Sequence, residues 1–161
     1  MIGKRGEAAD FAKGHLGSNL ERIVRASHKP VFVASRAFKP VSKILVAYDG
    51  GASAMRAVDH IARSKLYAGL EAHIVTVGTP NAEVQRGLKD AQAMLKAAGM
   101  EATVGIIAGP AEQTLGDLVD ENGYDLLVMG AYGHSRIRSL IIGSTTTEMI
   151  RSCKVPVVLI R

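Results

Sequence analysis

The sequence predicts an α/β protein: an open, parallel, five-stranded sheet with helices on both faces, preceded by an extra helix–strand segment. Three observations carry that expectation. From Lys43 onward, β-prone apolar runs alternate with amphipathic ones, the order of strands and crossover helices. The strand runs, such as KILVAY (43–48) and LLVM (126–129), are apolar without a polar alternate, as in parallel strands covered on both faces. Finally, Asp-Gly, Gly-Thr-Pro and Gly-Pro punctuation falls where each strand must give way to a helix.

The chain begins with a partial repeat of its own end. Gly3-Lys4-Arg5-Gly6, ten residues, then Gly17-Ser18 echoes Gly130 to Gly133, nine residues, then Gly143-Ser144, with one residue inserted. Gly17 to Val31 (GSNLERIVRASHKPV) then aligns without a gap on Gly143 to Val157 (GSTTTEMIRSCKVPV). Both copies run into short apolar strands, VFVAS and VVLI. Lys39-Pro40 reads as a linker, because proline bars helix continuation.

Lys43 to Tyr48 is the first strand of the main unit, ending at the Asp49-Gly50-Gly51 turn. Ala52 to Ala68 places Ala54, Val58, Ile61 and Leu66 near helical spacing, with Gly69 as its stop. Ala72 to Val77 is a second strand, broken by Gly78-Thr79-Pro80. Asn81 to Ala98 is an amphipathic helix capped by Asn81 and stopped at Gly99. Thr103 to Ile107 is a third strand. Gly109-Pro110 opens a helix that ends near Asn122-Gly123, with proline early, where its missing N–H is harmless. Leu126 to Met129 is the fourth strand, a helix runs through Cys153, and Val155 to Ile160 is the last strand. That last strand is expected to pair with Val31 to Ala34, from the same or a neighbouring chain, since an open edge would otherwise remain.

Parallel sheets of this kind bind ligands at the carboxyl ends of strands, where the strand order switches. Asp49, Val77 and Gly130 all fall on such ends. The stretch Asp125 to Thr147 (DLLVMGAYGHSRIRSLIIGSTTT) adds glycines that let backbone approach a ligand closely. Gly143 followed by Ser144 and Thr145 then opens a helix, whose first N–H groups and dipole favour an anion. The residues alone therefore indicate an anion at a strand-to-helix junction.

The spacing G-x2-G-x9-G-[ST] resembles the nucleotide-binding signature of the universal stress protein family, in its ATP-binding branch, and the likeness covers residues 43–161. The resemblance implies a leading piece, residues 1–37, that is the tail of a preceding domain of the same kind. A linker at 38–42 and a complete domain at 43–161 follow. It implies ATP, or ADP or AMP in its place, with Mg2+ brought in on the phosphates, and homodimers formed through the last strand. By resemblance Asp49 faces the adenosine part, the main chain of Val77 meets the adenine ring, and Met129 and Gly130 act from the fourth strand. Gly133, Gly143, Ser144 and Thr145 would hold the phosphates, and Thr146 falls on a further contact position. Each also has a plainer reading. Asp49 is a turn former before a helix, Val77 a core residue, and Gly143-Ser144 a glycine turn with a serine cap. Gly51 stands where relatives often carry serine, so one hydroxyl is missing from that corner. His134 and Arg136 are candidate phosphate neighbours.

Charge narrows the classes of function. Residues 1–40 hold eight Lys/Arg against three Asp/Glu, whereas residues 41–161 hold twelve of each, so the net charge of +5 belongs to the leading segment. With no Trp and 4% aromatics, the main unit lacks the basic face or stacking platform of a nucleic-acid binder. No apolar run approaches the ~18 residues of a membrane span, and MIGKRGEAAD offers no secretory h-region. The single Cys153 fits a reducing cytoplasm, and the histidines show no zinc-ligand spacing, so no protein metal site is expected. There is no G-x4-G-K-[ST] loop and no recognisable nucleophile–base pair. Binding is therefore favoured over turnover, with a nucleotide-responsive interaction module as the expected role. An assembly module with an empty pocket and a slow ATP hydrolase are the alternatives.

Overall fold

A computed structural model of the chain describes residues 1–3, 18–35, 39–131 and 144–161. The main unit is centred on β3 (Lys43–Ala47), where Ile44, Leu45 and Val46 are fully buried because both sheet faces are covered. It continues through α2 (Ala52–Arg63), β4 (Glu71–Val77), α3 (Ala82–Ala97), β5 (Glu101–Ile107) and α4 (Ala111–Glu121). Then come β6 (Leu126–Gly130), α5 (Ser144–Ser152) and β7 (Val157–Ile160). Ahead of it stand β1 (Ile2–Gly3), α1 (Ser18–Ala26) and β2 (Val31–Ala34). The leading glycine loop read from the sequence lies largely in residues 4–17, outside the described residues.

The sheet has seven strands in the order β1-β2-β7-β6-β3-β4-β5. Its five parallel strands, β7 to β5, are the sheet expected from the sequence. The leading segment does more than append a helix and a strand: it adds two strands to the same sheet. β2 lies antiparallel on β7 within the chain, with Phe32 opposite Val158, and β1 runs parallel to β2. Alternate strand residues feed two cores. Ile44 and Val46 pack under α2 and α3, while Leu45, Leu127 and Met129 pack with Leu115 of α4 and Met149 of α5. Leu20 and Val24 of α1 join the second of these cores.

Helix limits follow local chemistry. Asn81 caps α3 by accepting the Val84 N–H at 2.8 Å, and Gly99, with φ 81°, takes the left-handed turn after it. The helix expected to reach Ala68 stops at Arg63, because Ser64 turns extended (φ −94°, ψ 122°) and its hydroxyl accepts the Leu66 N–H. A 3-10 turn, Lys65–Tyr67, follows, with Tyr67 buried and Leu66 85% exposed. β5 begins at Glu101, two residues before the expected start, and β7 begins at Val157.

Two glycines in helix interiors make a matched test. A Cβ at Gly116 in α4 would meet nothing within 4 Å, so Gly116→Ala is expected to stabilise the protein by about 0.5–1 kcal/mol. At Gly87 in α3 a Cβ would lie 2.8 Å from the Tyr48 hydroxyl, so Gly87→Ala is expected to forfeit that gain. Urea midpoints check both; equal gains would contradict the packing of Tyr48 against α3.

The amino-terminal rim holds a polar cluster. Asp125 accepts from the Ser42 N–H (3.0 Å), the Ser42 hydroxyl (2.8 Å) and the Lys43 N–H (3.1 Å), joining the starts of β3 and β6. Burial pushes its carboxyl up, but these donors and the Lys39 charge outweigh it and hold the pKa below the usual value. Beside it the Tyr124 hydroxyl and His73 Nδ1 share a hydrogen bond, and Lys43 Nζ sits 4.8 Å from the Tyr124 ring centre. Burial, then the Lys43 charge, lowers the pKa of His73 below 6.5. The unfolded chain thus binds this proton more readily, so stability falls as pH drops below about 6.5 and does not depend on this group above it. The melting temperature is expected to decline from about pH 7 to about pH 5, and to decline less in His73→Gln. Parallel declines would contradict the assignment.

Candidate functional site

The chain runs from β3 outward to β4 and β5, then returns to the far side of β3 for β6 and β7. The order therefore reverses between β3 and β6, and the crevice of such a sheet opens beyond their carboxyl ends. Asp49 lies two residues past the end of β3, Val77 ends β4, and Met129 and Gly130 end β6. All four sequence-predicted strand-end residues therefore reach one rim. Of the rest, Ser144 and Thr145 open α5, whereas Gly133 and Gly143, with His134 and Arg136, lie outside the described residues.

The floor of this rim is held by main-chain and hydroxyl contacts. Tyr48 N–H donates to the Val75 carbonyl at 2.8 Å, and the buried Thr76 hydroxyl donates to the Tyr48 carbonyl at 2.7 Å. These bonds lock the ends of β3 and β4 together. Val77 is half-buried against the α4/α5 core, and Gly78, at φ 149°, donates its N–H to the Ile107 carbonyl at 2.9 Å. Met129 is buried in that same core. Their side chains thus pack inward, the plainer role.

The start of α2 forms one wall. Asp49 is exposed, and its Oδ1 accepts the Gly51 N–H at 2.8 Å. The turn-former reading of Asp49 is therefore met in the structure, and a ligand would compete for this carboxylate or use Oδ2. Gly51 permits the arrangement, since a Cβ there would stand 2.9 Å from Asp49 Oδ1. Gly51 offers no capping side chain and no acidic residue lies in the first turn of α2, so the Asp49 carboxylate is the negative charge that stands at this helix start. The Tyr48 phenol has its pKa raised by burial first and then by the negative charges of Asp49 and Asp90.

Gly130 sits where β6 meets this wall. A Cβ on it would lie 3.0 Å from Ser53 Cβ, 3.1 Å from the Ala54 nitrogen and 3.2 Å from the Ser53 carbonyl carbon. Close helix–strand packing favours glycine here, independently of any ligand. Thr146 is buried, and its hydroxyl reaches the Gly130 carbonyl at 3.5 Å, linking the first turn of α5 to the end of β6. Sequence reasoning missed Ser53 and Thr76. Ser53 is buried, and its hydroxyl accepts from Arg56 Nη2 at 3.3 Å. A hydroxyl inside an otherwise apolar strand or helix face was the available signal for both. Among the described residues, no group of three or more His, Cys, Asp or Glu is placed to hold a metal, and no helix is long and apolar enough to cross a membrane.

Fold and rim together define a doubly wound α/β domain with its crevice between β3 and β6. The family model of the universal stress proteins matches residues 81–161, and the chain belongs to that family. It is 45% identical over 163 residues to Universal stress protein Slr1230 of Synechocystis sp., covering 100% of this chain and 57% of that relative. The chain thus spans little more than half the length of the curated relative it matches. Among solved structures it is similar to a universal stress protein in complex with cAMP, at 29% identity and TM-score 0.63, covering 76% of this chain and 98% of that one. It is also similar to a universal stress protein from Archaeoglobus fulgidus, at 26% identity and TM-score 0.67, covering 88% of this chain and 52% of the other.

Proposed function

We propose that this chain binds an adenine nucleotide, ATP in our reading, at the rim between β3 and β6. In that reading it acts in the cytoplasm as a nucleotide-responsive interaction module in stress response. The observation that carries the reading is the convergence of Asp49, Val77, Met129 and Gly130 on the crevice where the strand order reverses. The similar structure in complex with cAMP supports an adenine nucleotide as the ligand. Asp49 would accept from ribose hydroxyls or the base amine. The backbone at Val77, Met129 and Gly130 would meet the flat face of the base. Gly133, Gly143, Ser144, Thr145 and Thr146 would hold phosphates through helix-end N–H groups and hydroxyls, each worth about 0.3–1 kcal/mol and together enough for a site. Mg2+ would arrive on the phosphates, since it keeps several waters and few protein ligands.

Asp49→Ala separates the ligand role from the turn-forming role. A ligand carboxylate predicts at least a tenfold loss of nucleotide affinity by calorimetry, against a small change in melting temperature. Unchanged affinity with lowered stability would leave Asp49 as a turn former only. Pairing through the last strand is already satisfied inside the chain by β2, so a homodimer formed through β7 would require that segment to leave.

A further inference from the structure

The repeat noticed in the sequence is obeyed by the strand pairing, residue for residue. Ile2 stands opposite Val33, and Gly3 opposite Ala34. Met129 stands opposite Leu159, and Gly130 opposite Ile160. Aligning Gly17 with Gly143 carries Val33 and Ala34 onto Leu159 and Ile160. Allowing for the inserted residue, Ile2 and Gly3 fall on Met129 and Gly130. The seam is symmetric as well. The pairs Val31–Leu159 and Val33–Val157 exchange under the same alignment, and Phe32–Val158 maps onto itself. A local two-fold axis therefore passes between Phe32 and Val158.

Among the described residues, two features of the complete half lack counterparts across that axis. β6 has β7 on one side and β3 on the other, with Ala47 opposite Met129. β1 has β2 on one side and, among the described residues, no strand on the other. Met149 of α5 is fully buried in the core that holds Leu115 and Val119 of α4. Its repeat partner on α1, Ile23, is 43% exposed, although Leu20 and Val24 beside it are buried. Among the described residues, the open strand edge and the exposed isoleucine have no counterpart of β3 or α4, which both precede β6 in the complete half.

We propose that the outer edge of β1 and the Ile23 face of α1 dock a strand-and-helix unit of the kind formed by residues 43–125 of this chain. Its first strand pairs parallel to β1 as β3 pairs with β6, and its last helix covers Ile23 as α4 covers Met149. A second whole copy cannot supply that strand, because its own β3 is held on both sides by β4 and β6. The curated relative carries 43% of its length outside the match, which leaves ample chain for such a unit.

The test co-expresses the full 161-residue chain with residues 43–125 as a separate, tagged polypeptide. The expected result is a 1:1 complex in which amide exchange slows at residues 2–3 and 20–26, and from which Ile23→Asp removes at least nine-tenths of the retained chain. Ile23 is part-exposed, so this variant is expected to keep the wild-type circular dichroism and melting temperature. A second protein, with residues 43–127 fused directly ahead of Met1, holds the unit in place and should show the same protection without mixing. Absence of a complex together with unchanged exchange in the fusion overturns the proposal. So does a complex indifferent to Ile23→Asp, which would mean docking by exchange at the complete half. A dimer of the unmixed chain that Ile23→Asp dissociates would assign the surface to a second copy and also overturn it.

Discussion

Deleting residues 1–37 is expected to turn the protein into a self-associating or insoluble one. The segment contributes Leu20, Val24, Val31 and Val33, all buried, to the core shared with α4 and α5. Burying one such side chain is worth about 1.5–3 kcal/mol, so four together rival the ~5–15 kcal/mol net stability of a domain. The deletion also strips β7 of its antiparallel partner, leaving the unpaired N–H and C=O groups of an apolar edge strand. Relief comes from pairing β7 with β7 of another copy across the axis that now relates it to β2. Light scattering behind size exclusion should show a larger species than the full chain at equal concentration. A truncated protein of unchanged association state and solubility would contradict the role given to β2.

Gly130→Ala is expected to destabilise the fold by about 1–3 kcal/mol, and Gly130→Val by more, because the added carbon meets backbone and not a yielding side-chain tip. Ser53 Cβ and the Ala54 nitrogen stand 3.0 and 3.1 Å from it, so the start of α2 must move away from the end of β6. That movement widens the crevice, and on the proposed reading nucleotide retention falls with it. The urea midpoint should drop with an unchanged slope. A Gly130→Ala variant as stable as wild type would mean that α2 and β6 are not in this contact.

Much of the main unit was legible because its signals are local. Continuous apolar runs mark the buried parallel strands, and Asn81, Gly99 and Pro110 punctuate the helices where the chain turns. Asp49, Val77 and Gly130 could be placed on one rim because parallel topology fixes which strand ends share a side. Other features depend on contacts that no window of sequence contains. Leu66 fits a helical stripe, yet Ser64 satisfies the backbone earlier and leaves Leu66 in solvent. Two residues of β1 carry no period, so only their register against Val33 and Ala34 makes them a strand. The demand for glycine at 130 arises from Ser53, 77 residues away in sequence, although the motif had suggested a ligand as its cause.

The central claim is that the rim between β3 and β6 holds an adenine nucleotide. Its most direct measurement is the nucleotide content of the purified protein: denature, remove the chain, and identify what is released by chromatography and mass. The account predicts an adenine nucleotide near one per chain, with ATP in the lead and ADP, AMP or cAMP distinguished by mass. No released nucleotide, together with no calorimetric binding of ATP or cAMP at about millimolar concentration, would contradict it and leave the glycine-rich rim as packing alone.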